Sequence, residues 1–435
     1  MLERVFQLKQ NKTTVSREIV AGIVTFMTMA YIIFVNPDIL ANALGKEYLH
    51  PLIVATCVAA GIMSISMGLF TNYPLALASG MGLNAVVAYG LVLGMKLPWQ
   101  TAMGVVFVEG VVITLLVLTK VREWVMDAIP VDLKRAIGVG IGLFIAFIGL
   151  KNAGLVVADP VTFLTFGKIN PANGIALFGL LVTAVLMARR VKGAILIGII
   201  VSTVTAMICG LVKWPTEYVA GLKPEYFSTF FQLDIGSALN VGLITTIFAL
   251  MISDFFDTMG TVVAVGEEAG LVGKDGKMPR LRNVLLVDSL AAVCGGLFGC
   301  SSVTTYVESA AGVGEGGRTG LTAVVTGILF LLAIFFAPIV GIVPGYATAP
   351  ALIVVGFLML AVVKNIQWDD LTVSIPASLT IIMIPLTYSI SKGIGYGFIA
   401  YVLIKVFSGK SKGVHPLMYI ASIFFVIDFI LSSRG

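Results

Sequence analysis

SSVTTYVESAAGVGEGGRTG, residues 301–320, lies between two long apolar runs, yet it carries Glu308, Glu315, Arg318 and a tract of glycines. Its surroundings explain why that is unusual. Of 435 residues, 58% are hydrophobic and 12% charged, with mean hydropathy +1.03. Soluble domains carry about 25% charge, so most of this surface faces lipid. Apolar runs of about 18 residues or more recur along the whole chain and read as membrane helices. No polar gap is long enough to form a soluble domain. The run from Ile19 to Leu40 follows four basic residues and is too long for a signal-peptide core, so it reads as a retained first span. The four cysteines sit in apolar segments without ligand-like spacing and read as small packing residues.

The spacing predicts spans near 18–40, 51–71, 74–94, 99–119, 133–152, 173–189 and 193–212. A second series falls near 239–264, 283–299, 303–315, 318–338, 347–363, 371–390 and 392–407. The expected fold is an all-α polytopic membrane protein of about 14 spans in a 7+7 inverted repeat. A further apolar helix covers 415–432. With residues 1–17 cytoplasmic, twenty of the 28 Lys and Arg fall inside, a positive-inside bias. The net charge of +5 is thus a matter of topology and does not indicate nucleic-acid binding. Seven spans per half require the second half to enter from the opposite side. TFMTMAYIIFVNP (25–37) echoes TIFALMISDFFDT (246–258), which sets Asn36 opposite Asp257.

Two segments break the pattern at the third position of each half. NYPLALASGMGLN (72–84) holds Pro74, Ser79, Gly80 and Gly82, and GCSSVTTYVESAAG (299–312) is rich in Ser, Thr and β-branched residues. Each reads as an extended piece followed by a half-helix. Extended backbone at membrane depth is tolerated only in protein or beside a cavity, because its N–H and C=O groups need partners. Interrupted segments in corresponding positions point to a transporter binding site.

An acid inside the membrane costs about 2.5–3.5 kcal/mol on insertion scales and is a functional candidate by default. Asp254 and Asp257 share a helical face with Thr258 and Thr261, and Glu308 follows the extended piece of the opening stretch. The bland alternatives are a structural polar seam for the two aspartates and a half-helix cap for Glu308. Asn84 fits interhelix packing or ligand contact equally. Glu109 and Asp288 are lone acids for which buried partners are expected. Asp428 reads as interfacial, and Glu315 with Arg318 as a solvated ion pair. No GxxxxGK[ST] occurs, and His50 and His415 flank spans, so phosphate-loop, triad and zinc chemistry are excluded. Two function classes remain: a cation-coupled transporter of a small polar solute, and an intramembrane aspartyl hydrolase using Asp254 with Asp288. The hydrolase accounts only for the acids, and the Gly-Asp motif expected beside such a centre is missing at Asp288.

GIVTFMTMAYIIFVNP (22–37), ASGMGLNA (78–85), ISDFFDTMGT (252–261) and TTYVESAAGVGEGGRTG (304–320) resemble the AzgA-like purine permeases. These belong to the nucleobase–ascorbate transporter superfamily with the uracil-permease fold. The resemblance implies a core domain from 18–119 and 239–338, and a gate domain from 133–213 and 347–407. It also implies short antiparallel strands in spans 3 and 10 that meet at the substrate. It implies uptake of hypoxanthine, guanine or adenine with protons across the plasma membrane, with no cofactor beyond the coupling ion, H+. By matching motif, Asp254 corresponds to the substrate-binding acid, Asp257 to a neighbouring functional acid, Glu308 to the carboxylate that contacts the base, and Asn84 to a polar residue of span 3. Ser79 and Thr305 join them as substrate-site candidates, and Asp257, Asp254 and Glu308 as proton-coupling candidates. A 6-oxopurine offers N1–H, and guanine adds an amino group, which a carboxylate accepts; this favours guanine and hypoxanthine over adenine. Uracil or xanthine is the alternative substrate. The partners expected are the purine, protons and the lipid bilayer, with a homodimer left open.

Overall fold

The computed structural model describes residues 2–119, 128–219, 221–271 and 278–432. Some of the Lys and Arg counted in the positive-inside bias, at 120–127, 272–277 and 434, lie outside these residues, and the Asp428 side chain is likewise not described. The chain enters through α1 (Val15–Met29), interrupted at Ala30–Tyr31 and resumed as α2 (Ile32–Leu44). Next come α3 (Leu49–Thr71), strand β1 (Leu77–Ser79) and the short α4 (Met81–Ala85), which widens into a π-helix over Val86–Gly94. α5 (Trp99–Thr119) and α6 (Val131–Asn152) follow. A hairpin of β2 (Val156–Asp159) and β3 (Phe163–Phe166) precedes α7 (Pro171–Ala188) and α8 (Ala194–Ile208).

The second half holds α9 (Ile244–Glu268), α10 (Leu281–Phe298), β4 (Val303–Thr305) and α11 (Ser309–Gly314). It continues with α12 (Gly320–Ala333), α13 (Gly345–Leu360), α14 (Leu371–Leu386), α15 (Ile390–Phe407) and α16 (Pro416–Ser432). Among the described residues, 10 helices are long and apolar enough to cross a membrane. The protein is therefore a mostly helical, multi-pass membrane protein. The expected spans at 74–94, 193–212, 303–315 and 371–390 are shorter or broken. Their helical parts are Met81–Gly94, Ala194–Ile208, Ser309–Gly314 and Leu371–Leu386. In α14 the cause is local, since Pro385 sits in the last turn and the helix stops one residue later.

Helices α3 and α12 touch backbone to backbone. A Cβ on Gly61 would fall 3.0 Å from the Gly327 carbonyl oxygen, and Gly68 and Gly320 block each other in the same way one heptad on. Small residues that admit such contact are how lipid-embedded helices pack without a hydrophobic driving force. Buried Glu18 accepts from the N–H groups of Arg318, Thr319 and Thr322 and from the Thr322 hydroxyl at 2.6–3.3 Å. A carboxylate is stable there because it answers the free donors of the α12 N-terminus. The β2–β3 hairpin fills the connection between the expected spans 133–152 and 173–189. Asp159 Oδ1 closes its turn by accepting from the N–H groups of Val161 (2.9 Å) and Thr162 (2.8 Å). The bonds from Thr162 and Val161 hold the Asp159 carboxyl below its usual range.

Candidate functional site

The two interrupted segments meet as β1 and β4. The strands run antiparallel, pairing Leu77 with Thr305, Ala78 with Thr304 and Ser79 with Val303. Gly80 N–H to Ser302 O (2.9 Å) and Tyr306 N–H to Ala76 O (3.0 Å) extend the ladder at both ends. All six strand residues are buried. A two-stranded ribbon leaves its outer backbone groups open, and at membrane depth each must find a partner. Here the partners are side chains. Ser64 Oγ donates to Leu77 O and accepts Leu77 N–H, Ser309 Oγ accepts Ala76 N–H, and Asp288 Oδ1 accepts Thr305 N–H. Helices α4 and α11 begin directly beyond the ladder. Ahead of β4 the chain turns through Gly299 and Ser301, both at positive φ (78° and 70°). For Ser301 that is a strained conformation of the kind that gathers at functional sites.

Five acids surround this crossing. Asp288 in α10 is its clamp: Oδ2 accepts from Thr258 of α9 at 2.6 Å, and Oδ1 from the N–H and hydroxyl of Thr305 at 2.8 and 2.7 Å. The expectation of interhelix hydrogen bonds for Asp288 thus holds, and the Thr305 hydroxyl, a substrate-site candidate, is turned to Asp288. Asp254 is 1% exposed; its Oδ2 accepts from Ser302 at 3.0 Å, and its Oδ1 has no partner. Glu109 of α5 comes within hydrogen-bonding reach of Asp254 and receives no donor on either oxygen. Asp257 lies one helical turn beyond Asp254 on α9, and it is solvent-accessible. Glu308 is half-buried beside it, next to Val307, which is 54% exposed. Glu308 occupies the N-cap position of α11 but makes no capping bond; instead its Oε1 accepts from Tyr31 at 2.6 Å. Among the described residues no ion pair involves Glu109, Asp254, Asp257 or Glu308.

A neutral cluster faces the first half-helix. Asn84 Nδ2 donates to Asn36 Oδ1 at 2.9 Å, and Asn36 Nδ2 donates to Thr56 (2.8 Å) and to Cys300 O (3.1 Å). Ser79 Oγ also donates to Cys300 O at 2.8 Å, and the Ser79 carbonyl accepts from Tyr306. The Asn84 carbonyl oxygen is buried without a partner. Glu315 and Arg318 do not pair with each other. Glu315 binds Lys192, and Arg318 donates to the carbonyls of Val313 and Gly317 at 2.7 Å. Sequence reasoning missed Tyr31, which reads as one aromatic in an apolar run, and Ser302. The signal for Tyr31 was available, since it stands within the same motif as Asn36.

A crossed pair of broken segments in a helical bundle, beside which Glu109, Asp254, Asp257 and Glu308 form no ion pair among the described residues, fits a membrane transporter of small polar solutes. The chain matches the Xan_ur_permease family, a permease family, over residues 16–396, and it belongs to that family. It is a transmembrane nucleobase permease and not an enzyme, which removes the hydrolase reading. It is 44% identical to the guanine/hypoxanthine permease PbuG of Bacillus subtilis, with 98% of each chain covered. It is 43% identical to the adenine permease AdeP of Escherichia coli, over 99% of this chain and 96% of that one. Among solved structures, the transmembrane domain of the cyanobacterial bicarbonate transporter BicA superposes with TM-score 0.62 at 17% identity. That match covers 88% of this chain and 96% of the other, a likeness of fold alone.

Proposed function

We propose that the chain takes up purine nucleobases together with protons across the plasma membrane, with its N-terminus in the cytoplasm. Glu308 carries this reading. It stands at the β4–α11 junction, half-buried, with one oxygen held by Tyr31 and with the solvent-accessible Asp257 nearby. An ionised carboxylate accepts N1–H of a 6-oxopurine and the amino group of guanine, so guanine and hypoxanthine are preferred over adenine. A site built on such bonds rejects analogues lacking the donor by about 10⁴–10⁵. Relatives named for adenine and for guanine/hypoxanthine support the purine class.

The architecture we assign is 14 spans in two inverted halves, with 18–119 and 239–338 as core and 133–213 and 347–407 as gate. The neighbour relations support it, because they persist when each span is exchanged for the one seven positions on. The contact of α12 with α3 has its counterpart in that of α10 with α5, and α14 with α6 in α13 with α7. Likewise α15 with α9 mirrors α8 with α1. Thr348 of α13 donates to Asp38 of α2 at 3.0 Å, and Lys192 reaches Glu315, so polar contacts bridge core and gate at two places.

The test is competition of labelled hypoxanthine uptake by adenine, guanine, xanthine and uracil in a transport-deficient host, repeated with Glu308→Gln. Uptake competed by uracil but not by purines refutes the substrate class. Unchanged purine affinity in Glu308→Gln refutes the role of Glu308.

A further inference from the structure

Glu109 is the acid that the purine reading leaves without a task. It lies in the middle of α5, is fully buried, and has two oxygens without a donor. It faces Asp254 of α9, itself fully buried, whose Oδ1 is also unmatched while Oδ2 is held by Ser302. Each unmatched atom is an acceptor, and two acceptors in contact need a hydrogen between them. Among the described residues, the charged groups facing the pair are acids as well. Asp288 stands on α10, and Asp257 lies one turn along α9. Neither α5 nor α9 contains a Lys or Arg. Arg282 of α10 is committed to Leu118 O at the far end of α5. Two carboxylates within hydrogen-bonding reach, with no ion pair to either among the described residues, cannot both be ionised.

We infer that Glu109 and Asp254 hold one proton between them, and that this pair is the proton-loading site of the permease. The proton moves between a Glu109 Oε and Asp254 Oδ1, and no other bond changes. Loading is coupled to the ladder through Ser302, which donates to Asp254 Oδ2 and whose carbonyl accepts Gly80 N–H. The proton therefore sits at the Ser302 end of β4, while the solute is read by Glu308 beyond its other end. The inference rests on the proton-coupled reading given above.

The test uses the purified full chain in lipid, as wild type, Glu109→Gln and Asp254→Asn. Infrared spectroscopy at neutral pH is expected to show a protonated-carboxyl C=O band that weakens in both variants. With one proton per solute, a gradient of one pH unit at zero membrane potential gives about tenfold accumulation of labelled hypoxanthine. Glu109→Gln is expected to reduce this to equilibration, with purine affinity changed by less than about threefold. The inference is overturned if the wild type has no such band, if neither variant alters it, or if Glu109→Gln accumulates purine as the wild type does. If instead the wild type transports no purine at all, the functional reading fails, while the infrared band still decides the shared proton.

Discussion

Replacing Asp288 separates a structural acid from a substrate-binding one. Three short bonds converge on its carboxylate, from the Thr258 hydroxyl, the Thr305 N–H and the Thr305 hydroxyl, at 2.6–2.8 Å. Hydrogen bonds to a charged group contribute about 1.5–3 kcal/mol each, so Asp288→Ala has a ceiling of about 4.5–9 kcal/mol. Entering water and relaxation bring this toward the range of about 3–5 kcal/mol found when buried networks are broken. Asp288→Asn behaves differently. Its amide oxygen can keep both Thr305 donors, and its NH2 can donate to Thr258, whose hydrogen is free to turn to Thr304 Oγ1 at 2.8 Å. Only charge assistance is lost, about 1–2 kcal/mol. The assay is denaturant or thermal unfolding of both variants in one detergent, alongside binding of labelled purine. Equal stability of Asp288→Ala and Asp288→Asn, or an alanine variant as stable as the wild type, refutes the clamp.

Tyr31→Phe removes the side-chain donor that Glu308 has among the described residues and is expected to weaken purine affinity about tenfold, read by competition binding, because a charge-assisted bond of that order positions the carboxylate. Gly320→Val drives its side chain into the Gly68 backbone and is expected to destabilise by about 1–3 kcal/mol or prevent folding. Gly174→Ala, where a Cβ meets nothing within 4 Å, serves as the control and should be neutral or better in the same unfolding assay. Lys192→Met breaks the ion pair with Glu315, whose side chains are 45% and 34% exposed. A pair that open contributes about 0–1 kcal/mol, so uptake rate should change less than about fivefold in a vesicle assay.

The site was legible where polarity contradicts its setting. Ser and Thr beside Glu308 in a greasy chain have few explanations, and the β1–β4 ladder is the one the structure displays. The acids were legible for the same reason, but their partners were not, since partners depend on which helices cross. Nothing in the spacing of Glu109 and Asp254 announces that α5 meets α9. Tyr31 was hidden because an aromatic in an apolar run reads as packing, and its function lies in a hydroxyl bond to a residue 277 positions away. The β2–β3 hairpin escaped because its strands are exposed and short, so burial leaves no alternation to read. Helix length failed at α14, where Pro385 stands one residue before the end of the helix within a stretch that stays apolar.

The echo that set Asn36 opposite Asp257 gains a physical content from the hydrogen bonds. In the first half, a residue of the opening span, Asn36, binds the second span at Thr56 and the broken span at Asn84. In the second half Thr258, one residue past Asp257, binds α10 at Asp288 and the broken span at Thr304. The wiring is the same, and the charge is not. One cluster is built of amides and hydroxyls, whereas the other is anchored on a carboxylate and flanked by Asp254, Asp257 and Glu308. Amides and hydroxyls do not ionise in the physiological range, so the first cluster stays fixed whatever the pH. A carboxylate cluster changes its net charge with each proton, so that half is where the geometry of the ladder can depend on protonation. On the proton-coupled reading proposed above, the second half is therefore where protonation acts on the ladder, with Glu109 as the acid that the first half adds to that cluster.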